Sequence, residues 1–256
     1  SLPALAQATS APYGIGDLDG DGCDEVSVRY TDGTRSGVLI VFGYDAGGVR
    51  CGGHNPPVTL RISGDPETGL NNMQLGVSTA RVGKVLGDNR DFLAISALLY
   101  PYLGVTQPTV LLFDVAQISA KRPATGTAVV GALNDGLVPI ALVYKERAPG
   151  FGRSVTGGVD LTGDGKPDVV VSAPAAGING DGTGAIFVFA GGPQLGGARP
   201  SAITIVGDEH ERAGLGQDLF LSAAKAPQPA ALGVGAPLSY RTGTSNGTAW
   251  LLPFDF

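Results

Sequence analysis

Two nine-residue stretches of this chain carry oxygen ligands at a spacing that suits a hard cation. The first is Asp17-Leu18-Asp19-Gly20-Asp21-Gly22-Cys23-Asp24-Glu25, and the second is Asp160-Leu161-Thr162-Gly163-Asp164-Gly165-Lys166-Pro167-Asp168. Side chains at positions 1, 3, 5 and 9 of such a loop converge on one point, the carbonyl of position 7 joins them, and the glycines permit the tight turn. The expected ligands are therefore Asp17, Asp19, Asp21, the Cys23 carbonyl and Glu25 in one loop. In the other they are Asp160, Thr162, Asp164, the Lys166 carbonyl and Asp168. Calcium is the expected guest at both sites, because it accepts six to eight oxygens in irregular geometry whereas magnesium demands a stricter octahedron. No glutamate stands at position 12 and no helix flanks either loop, which excludes a helix-loop-helix calcium hand. The alternative is an acidic turn that binds nothing. Two further stretches, Leu86 to Asp91 and Ala223 to Leu232, occupy corresponding places but lack the spaced carboxylates, so neither is expected to hold metal.

Other reactive residues are sparse. Cys23 and Cys51 are not spaced like a zinc site, and their even number permits either one disulfide or two thiols. His54 lies in GGHNPP and His210 in GDEHERAG, both turn-like contexts where a solvated histidine is the better reading than a general base. No GxSxG, HExxH or GxxxxGK[ST] pattern occurs. The chain is not expected to be an enzyme, and metal ligation explains the spacing of the acidic loops better than an acid–base pair does. Tyr100, Tyr102 and Tyr240 follow small-residue boxes where loops emerge, and are the aromatic candidates for ligand recognition. Trp250, inside an apolar strand, reads as core. Asn246-Gly247-Thr248 matches a glycosylation sequon.

The elements that must hold these residues follow from a repeat. An aromatic or aliphatic residue followed by glycine recurs at Tyr13-Gly14, Leu75-Gly76, Phe151-Gly152 and Leu215-Gly216. After each comes a short strand, a loop and a β-rich run: EVSVRY from Glu25, FLAISAL from Phe92, VVVSAP from Val169 and ALGVGAP from Ala231. Third strands follow from Val38, Thr109, Gly184 and Gly247, and fourth strands from Val58, Ile140 and Ile203. Four strands per unit, separated by turns, is the pattern of a propeller blade. The expectation is an all-β chain with units 13–74, 75–150, 151–214 and 215–256, the last completed by residues 1–12. It is a single β-propeller domain of about four four-stranded blades, either a closed ring or part of a larger one. In the closed form, Leu2 to Gln7 pairs beside the Trp250 strand, which removes two open sheet edges. The second unit carries extra residues around Ala120 to Leu137, read as a surface excursion, and Asp114 to Arg122 suits a single helical turn.

Composition agrees with that reading. The 256 residues include 41 glycines and 18 prolines, yet 43% are hydrophobic and only 16% charged, so the chain packs a core of short strands. A net charge of −6 without basic runs argues against nucleic acid. The uncharged stretch from Phe92 to Phe113 has the length of a membrane span, but Pro101, Gly104 and Pro108 break it into two strands around a loop. No basic, apolar leader precedes Ser1, so any signal segment is expected to have been removed or to lie outside these residues.

Together the FG opening, the DxxGDGxxD loop and the GAP-like box resemble the FG-GAP repeats of integrin alpha-subunit β-propellers and their bacterial relatives. FGRSVTGGVDLTGDGKPDVVVSAP, GAIFVFAGG and GDEHERAGLG in the third unit carry the resemblance most fully. It implies calcium that stiffens hairpins, ligands engaged on the opposite side, and residence outside the cell, at its surface or in a periplasm. A count of four units departs from the seven blades usual in that family. The leading expectation is a calcium-stabilised binding or adhesion module for a protein or glycan. The alternatives are a structural subunit of a multichain assembly and a domain of a secreted hydrolase.

Overall fold

A computed structural model describes residues 7–31, 35–46, 49–53, 57–64, 73–177, 182–208, 214–222, 230–237 and 247–254. β1 (Gln7–Ala8) precedes the first unit, which contains β2 (Tyr13–Gly16), β3 (Glu25–Thr31), β4 (Ser36–Val41), a small hairpin of β5 (Gly43–Ala46) and β6 (Val49–Gly53), and β7 (Thr59–Ser63). The second contains β8 (Leu75–Gly83), β9 (Phe92–Tyr102), β10 (Val105–Asp114), the one-turn helix α1 (Val115–Ser119), β11 (Thr127–Gly131) and β12 (Ile140–Tyr144). The third holds β13 (Val155–Val159), β14 (Asp168–Ala173), β15 (Ala185–Phe189), β16 (Gly197–Arg199) and β17 (Ile203–Val206). The fourth holds β18 (Leu219–Ser222), β19 (Ala230–Ala236) and β20 (Thr248–Phe254). Helix α1 forms where expected: the Asp114 carboxylate accepts from the Ala116 N–H at 2.9 Å, and Val115 and Ile118, three residues apart, are buried.

Within each unit the consecutive strands pair antiparallel, as β2-β3-β4-β7, β8-β9-β10-β12, β13-β14-β15-β17 and β18-β19-β20. Two strands then cross to a neighbour. β11, inside the stretch expected to be a surface excursion, pairs parallel with β7, and β16 pairs parallel with β12. The described residues thus form sheets of six, five, four, three and two strands in mixed order, none closed into a ring or curled as a blade requires. This corrects the expected β-propeller of about four four-stranded blades. The short β11 and β16 make the sheets unequal, and no described pairing ties β20 to the first sheet. The expected closure fails for Gln7, which lies opposite Thr31 on β3 and not beside Trp250. Residues 2–6 lie outside the described set.

What the repeat does produce is a succession of sheets, each packed on the next. Alternate residues of the inner strands point to opposite faces. Leu93 and Ile95 join Val38, Ile40 and Leu60 between the first and second sheets, while Phe92 and Ala94 join Val169, Phe187 and Phe189 between the second and third. Val170, Ile186 and Val188 face Leu232 and Val234 of the last sheet. Burial on both faces explains why FLAISAL and VVVSA read as unbroken apolar runs, each large side chain contributing about 1.5–3 kcal/mol. In β20, by contrast, burial alternates, and Trp250 packs inward against the last cluster.

The openings of the second, third and fourth units sit at these junctions. Gly76, Gly152 and Gly216 have φ of +83°, +84° and +88°, and a Cβ on Gly76 or Gly216 would come within 2.5 Å of Val38 or 2.7 Å of Ser172. Serines pin the same junctions. Ser36 Oγ accepts from Leu75 N–H at 3.1 Å, Ser78 Oγ from Val155 N–H at 3.0 Å, and Ser154 Oγ from Leu219 N–H at 3.1 Å. Each bond links one sheet to the strand that starts the next. Among the described residues, no helix is long and apolar enough to cross a membrane.

Candidate metal centre

Both acidic loops connect an outer strand to its neighbour, β2 to β3 and β13 to β14, so the register of each hairpin sets where the carboxylates fall. In the second loop, Gly163 and Gly165 take φ of +77° and +83° and turn the backbone around Asp160. Asp160 Oδ1 accepts from the N–H groups of Gly163 at 2.7 Å and of Thr162 and Asp164 at 3.2 Å, and its Oδ2 accepts from Gly165 at 2.7 Å. Partial desolvation works against its ionisation, but those N–H groups outweigh it and hold the carboxyl below its usual pKa. Asp168, at position 9, is fully buried at the start of β14. Burial pushes its pKa up, while the N–H groups of Gly191, Leu161 and Thr162 and the Thr162 hydroxyl pull it back. Asp160, Asp164 and Asp168 each bring a carboxylate oxygen within 4.8 Å of the others. Lys166 reaches Asp164 at 3.2 Å from a half-exposed position.

The first loop repeats this frame. Gly20 and Gly22 have φ of +80° and +88°, and Asp17 accepts from Gly20 N–H at 2.7 Å and from Gly22 N–H at 2.9 Å. Glu25 is fully buried, and accepts from Leu18 N–H through Oε2 and from Gly43 N–H through Oε1, as Asp168 does from Leu161 and Gly191. Burial, with help from Asp19 and Asp17, raises Glu25 to about 7 against the downward pull of those two N–H groups. Here the clustered oxygens belong to Asp17, Asp19 and Asp21, within 4.8 Å of one another, and Glu25 is not among them.

Among the described residues, three contacts have no counterpart in the second loop. Arg122, in the turn after α1, forms an ion pair with Asp19, lies 3.8 Å from Asp21 Oδ2, and sits 5.2 Å above the Phe42 ring. Arg81 donates to the Asp17 carbonyl at 2.8 Å while holding Asp91 at 2.6 Å. Cys23 forms a disulfide with Cys51 on β6, with Cα atoms 5.1 Å apart. The Asp19 side chain is left only 6% exposed.

Each three-carboxylate cluster has the hard-oxygen chemistry and glycine turns to chelate a divalent cation, and nine-position spacing alone located both. Spacing did not reveal Arg122 or Arg81, which stand 103 and 64 residues from their acidic-loop partners. In the degenerate loop of the second unit, Asp88 pairs with Arg90 and Asp91 with Arg81. Tyr100 and Tyr102 lie at the C-terminal end of β9 and are half-buried. Tyr100 is partly buried against the first core cluster, and burial, then Tyr102, raises its phenol pKa. Tyr240, His54, His210 and Asn246 lie outside the described residues.

Residues 151–189 match the FG-GAP repeat family, a short match that suggests only a distant relation to integrin-type β-propeller proteins. No curated protein matches the chain.

Proposed function

We propose that this chain is a calcium-stabilised binding or adhesion module that works outside the cell or at its surface, with a periplasm as the bacterial equivalent, and recognises a protein or glycan through its loops. The observation that carries the reading is the recurrence of one loop design at two places. In each, an aspartate is wrapped by backbone N–H groups, glycines turn left-handed, and three carboxylates lie within 4.8 Å. In this reading Asp17, Asp19, Asp21 and the Cys23 carbonyl serve one ion, with Glu25 as the fifth group. Asp160, Thr162, Asp164, the Lys166 carbonyl and Asp168 serve the other. Irregular oxygen sets of this kind favour calcium over magnesium. The Cys23–Cys51 disulfide supports an oxidising compartment. Tyr100 and Tyr102, half-buried at the end of β9, are the aromatics assigned to recognition.

Calorimetric titration of chelator-treated protein tests the cation assignment. Two calcium-binding events are expected, the tighter at the second loop, with magnesium much weaker at both. A flat calcium titration overturns the reading. A glycan and protein binding screen with and without calcium then tests recognition, and hits that ignore calcium sever the two halves of the proposal.

A second reading, a structural subunit of a multichain assembly, is favoured by one feature. Phe220, Gly233 and Leu251 stand in one row across the last sheet, with Phe220 65% and Leu251 67% exposed. Solution mass separates the readings: a monomer at high concentration favours the binding module, and a stable complex with another chain favours the subunit.

A further inference from the structure

Where β10 and β12 part company, the second sheet opens a slot. Their antiparallel ladder runs through Val110 opposite Leu142, Leu111 opposite Ala141 and Leu112 opposite Ile140. Continued in register, it would set Tyr144 against Pro108 and Lys145 against Gln107, but it stops. Pro108 has no N–H to give, and the β9–β10 register shifts beside it, between Gln107 and Thr109, with the extra residue on β9. The end of β12 is drawn off by β16, with which Leu142 to Tyr144 pair in parallel and to which Lys145 N–H adds a bond at Arg199 O of 3.0 Å.

A cleft of about 510 Å³ is left between the two strands. One wall is the outer edge of β10 from Val105 to Gln107, which carries no partner strand among the described residues. Across from it stand Lys145, Glu146 and Arg147, and the buried Val143, Ala148 and Phe151 line the interior. An open strand edge recruits another strand, because its N–H and C=O groups otherwise face only water. The charge on the far wall selects which strand. Lys145 is 3.6 Å from Glu146, and Arg147 is exposed with no ion pair among the described residues, so the wall offers an uncompensated guanidinium. Val105 is 62% exposed, and supplies apolar surface beside it.

The geometry points to this slot as the seat of an extended peptide segment from a protein partner, which adds as a strand to the Val105–Gln107 edge and sets an Asp or Glu side chain against Arg147. The inference deepens the binding-module reading by assigning it a ligand class and a place, and it rests on that reading only for there being a partner. Recognition divides between the strand edge, which is indifferent to sequence, and the cation, which demands an acid.

An array of random-sequence nonapeptides, probed with the calcium-loaded full chain, supplies the test, with the best probe then followed by fluorescence anisotropy. Enrichment of peptides with a central Asp or Glu among β-branched or aromatic residues is expected. N-methylation at alternate peptide positions should weaken binding at least tenfold, and methylation at the interleaved positions should not. Arg147→Glu should cost the acidic probe at least tenfold and favour its Lys-substituted version, with the thermal midpoint unchanged because Arg147 is exposed. Bound probe should protect the outward-facing amide of Thr106 from hydrogen exchange. An array without acidic enrichment, hits indifferent to Arg147→Glu, or binding confined to glycans would each overturn the assignment. A calcium titration of the same protein keeps the two failures apart. Normal calcium binding with no peptide hits removes the slot alone, and peptide binding without calcium uptake removes the calcium reading alone.

Discussion

The two acidic loops share a backbone and differ in what surrounds it. Both wrap position 1 in N–H groups, and both bury the carboxylate of position 9 against the N–H of position 2 and of a glycine beyond the neighbouring strand. In the second loop the only cation paired with the cluster among the described residues is its own half-exposed Lys166, which can swing away. In the first, Arg122 arrives from another unit, is held over Phe42 and neutralises Asp19, while the disulfide anchors position 7 to a separate hairpin. Similar local patterns therefore make unequal sites, the first clustering positions 1, 3 and 5 and the second positions 1, 5 and 9. One is cross-linked by the fold itself, and the other has only a local lysine as counter-charge among the described residues.

That contrast can be broken at several points. The largest effect is expected from removing the disulfide. Cys23→Ser with Cys51→Ser frees a loop that spans 28 positions and should lower stability by about 3 kcal/mol, read by denaturant unfolding, while calcium binding at the second loop persists. Next, Asp160→Asn should weaken the second site by about 100-fold, or about 2.7 kcal/mol, and leave the first unchanged in a calcium titration. Arg122→Ala works in the opposite sense. Freed of its internal cation, the first loop should bind calcium roughly tenfold more tightly, best measured in the Asp160→Asn background. Unchanged affinity there would show that the arginine does not compete with the ion.

The smallest effect is one of pH. Glu25 has a folded pKa of about 7, above the roughly 4.3 of an unfolded glutamate. Between those values the folded chain holds more protons than the unfolded one, so its contribution is present below about 4.3 and is lost as pH rises through 7. Metal-free protein should therefore melt a few degrees lower at pH 7.5 than at pH 5.5. Glu25→Gln should flatten that slope.

Much of this was legible in the chain. The openings Leu75-Gly76, Phe151-Gly152 and Leu215-Gly216 located the three junctions, because a left-handed φ against a neighbouring sheet admits only glycine. Apolar runs marked the strands buried on both faces, and the acidic spacing marked both clusters. The assembly was not legible. TAVVG from Thr127 and GAR from Gly197 are too short to carry a period, yet their parallel pairing with β7 and β12 removes the equality on which a propeller depends. Arg122 was hidden for a related reason: an ion pair across 103 residues leaves no local trace.

The serine bonds between successive sheets have a consequence for cooperativity. Ser36, Ser78 and Ser154 each couple a sheet to the one that follows, so the coupling is between nearest neighbours, as in a one-dimensional array. An array held this way transmits order along the chain from one sheet to the next. Disruption at the Ser154 link should detach the last sheet first and leave the first two intact, giving an unfolding profile with a low-temperature shoulder ahead of the main transition.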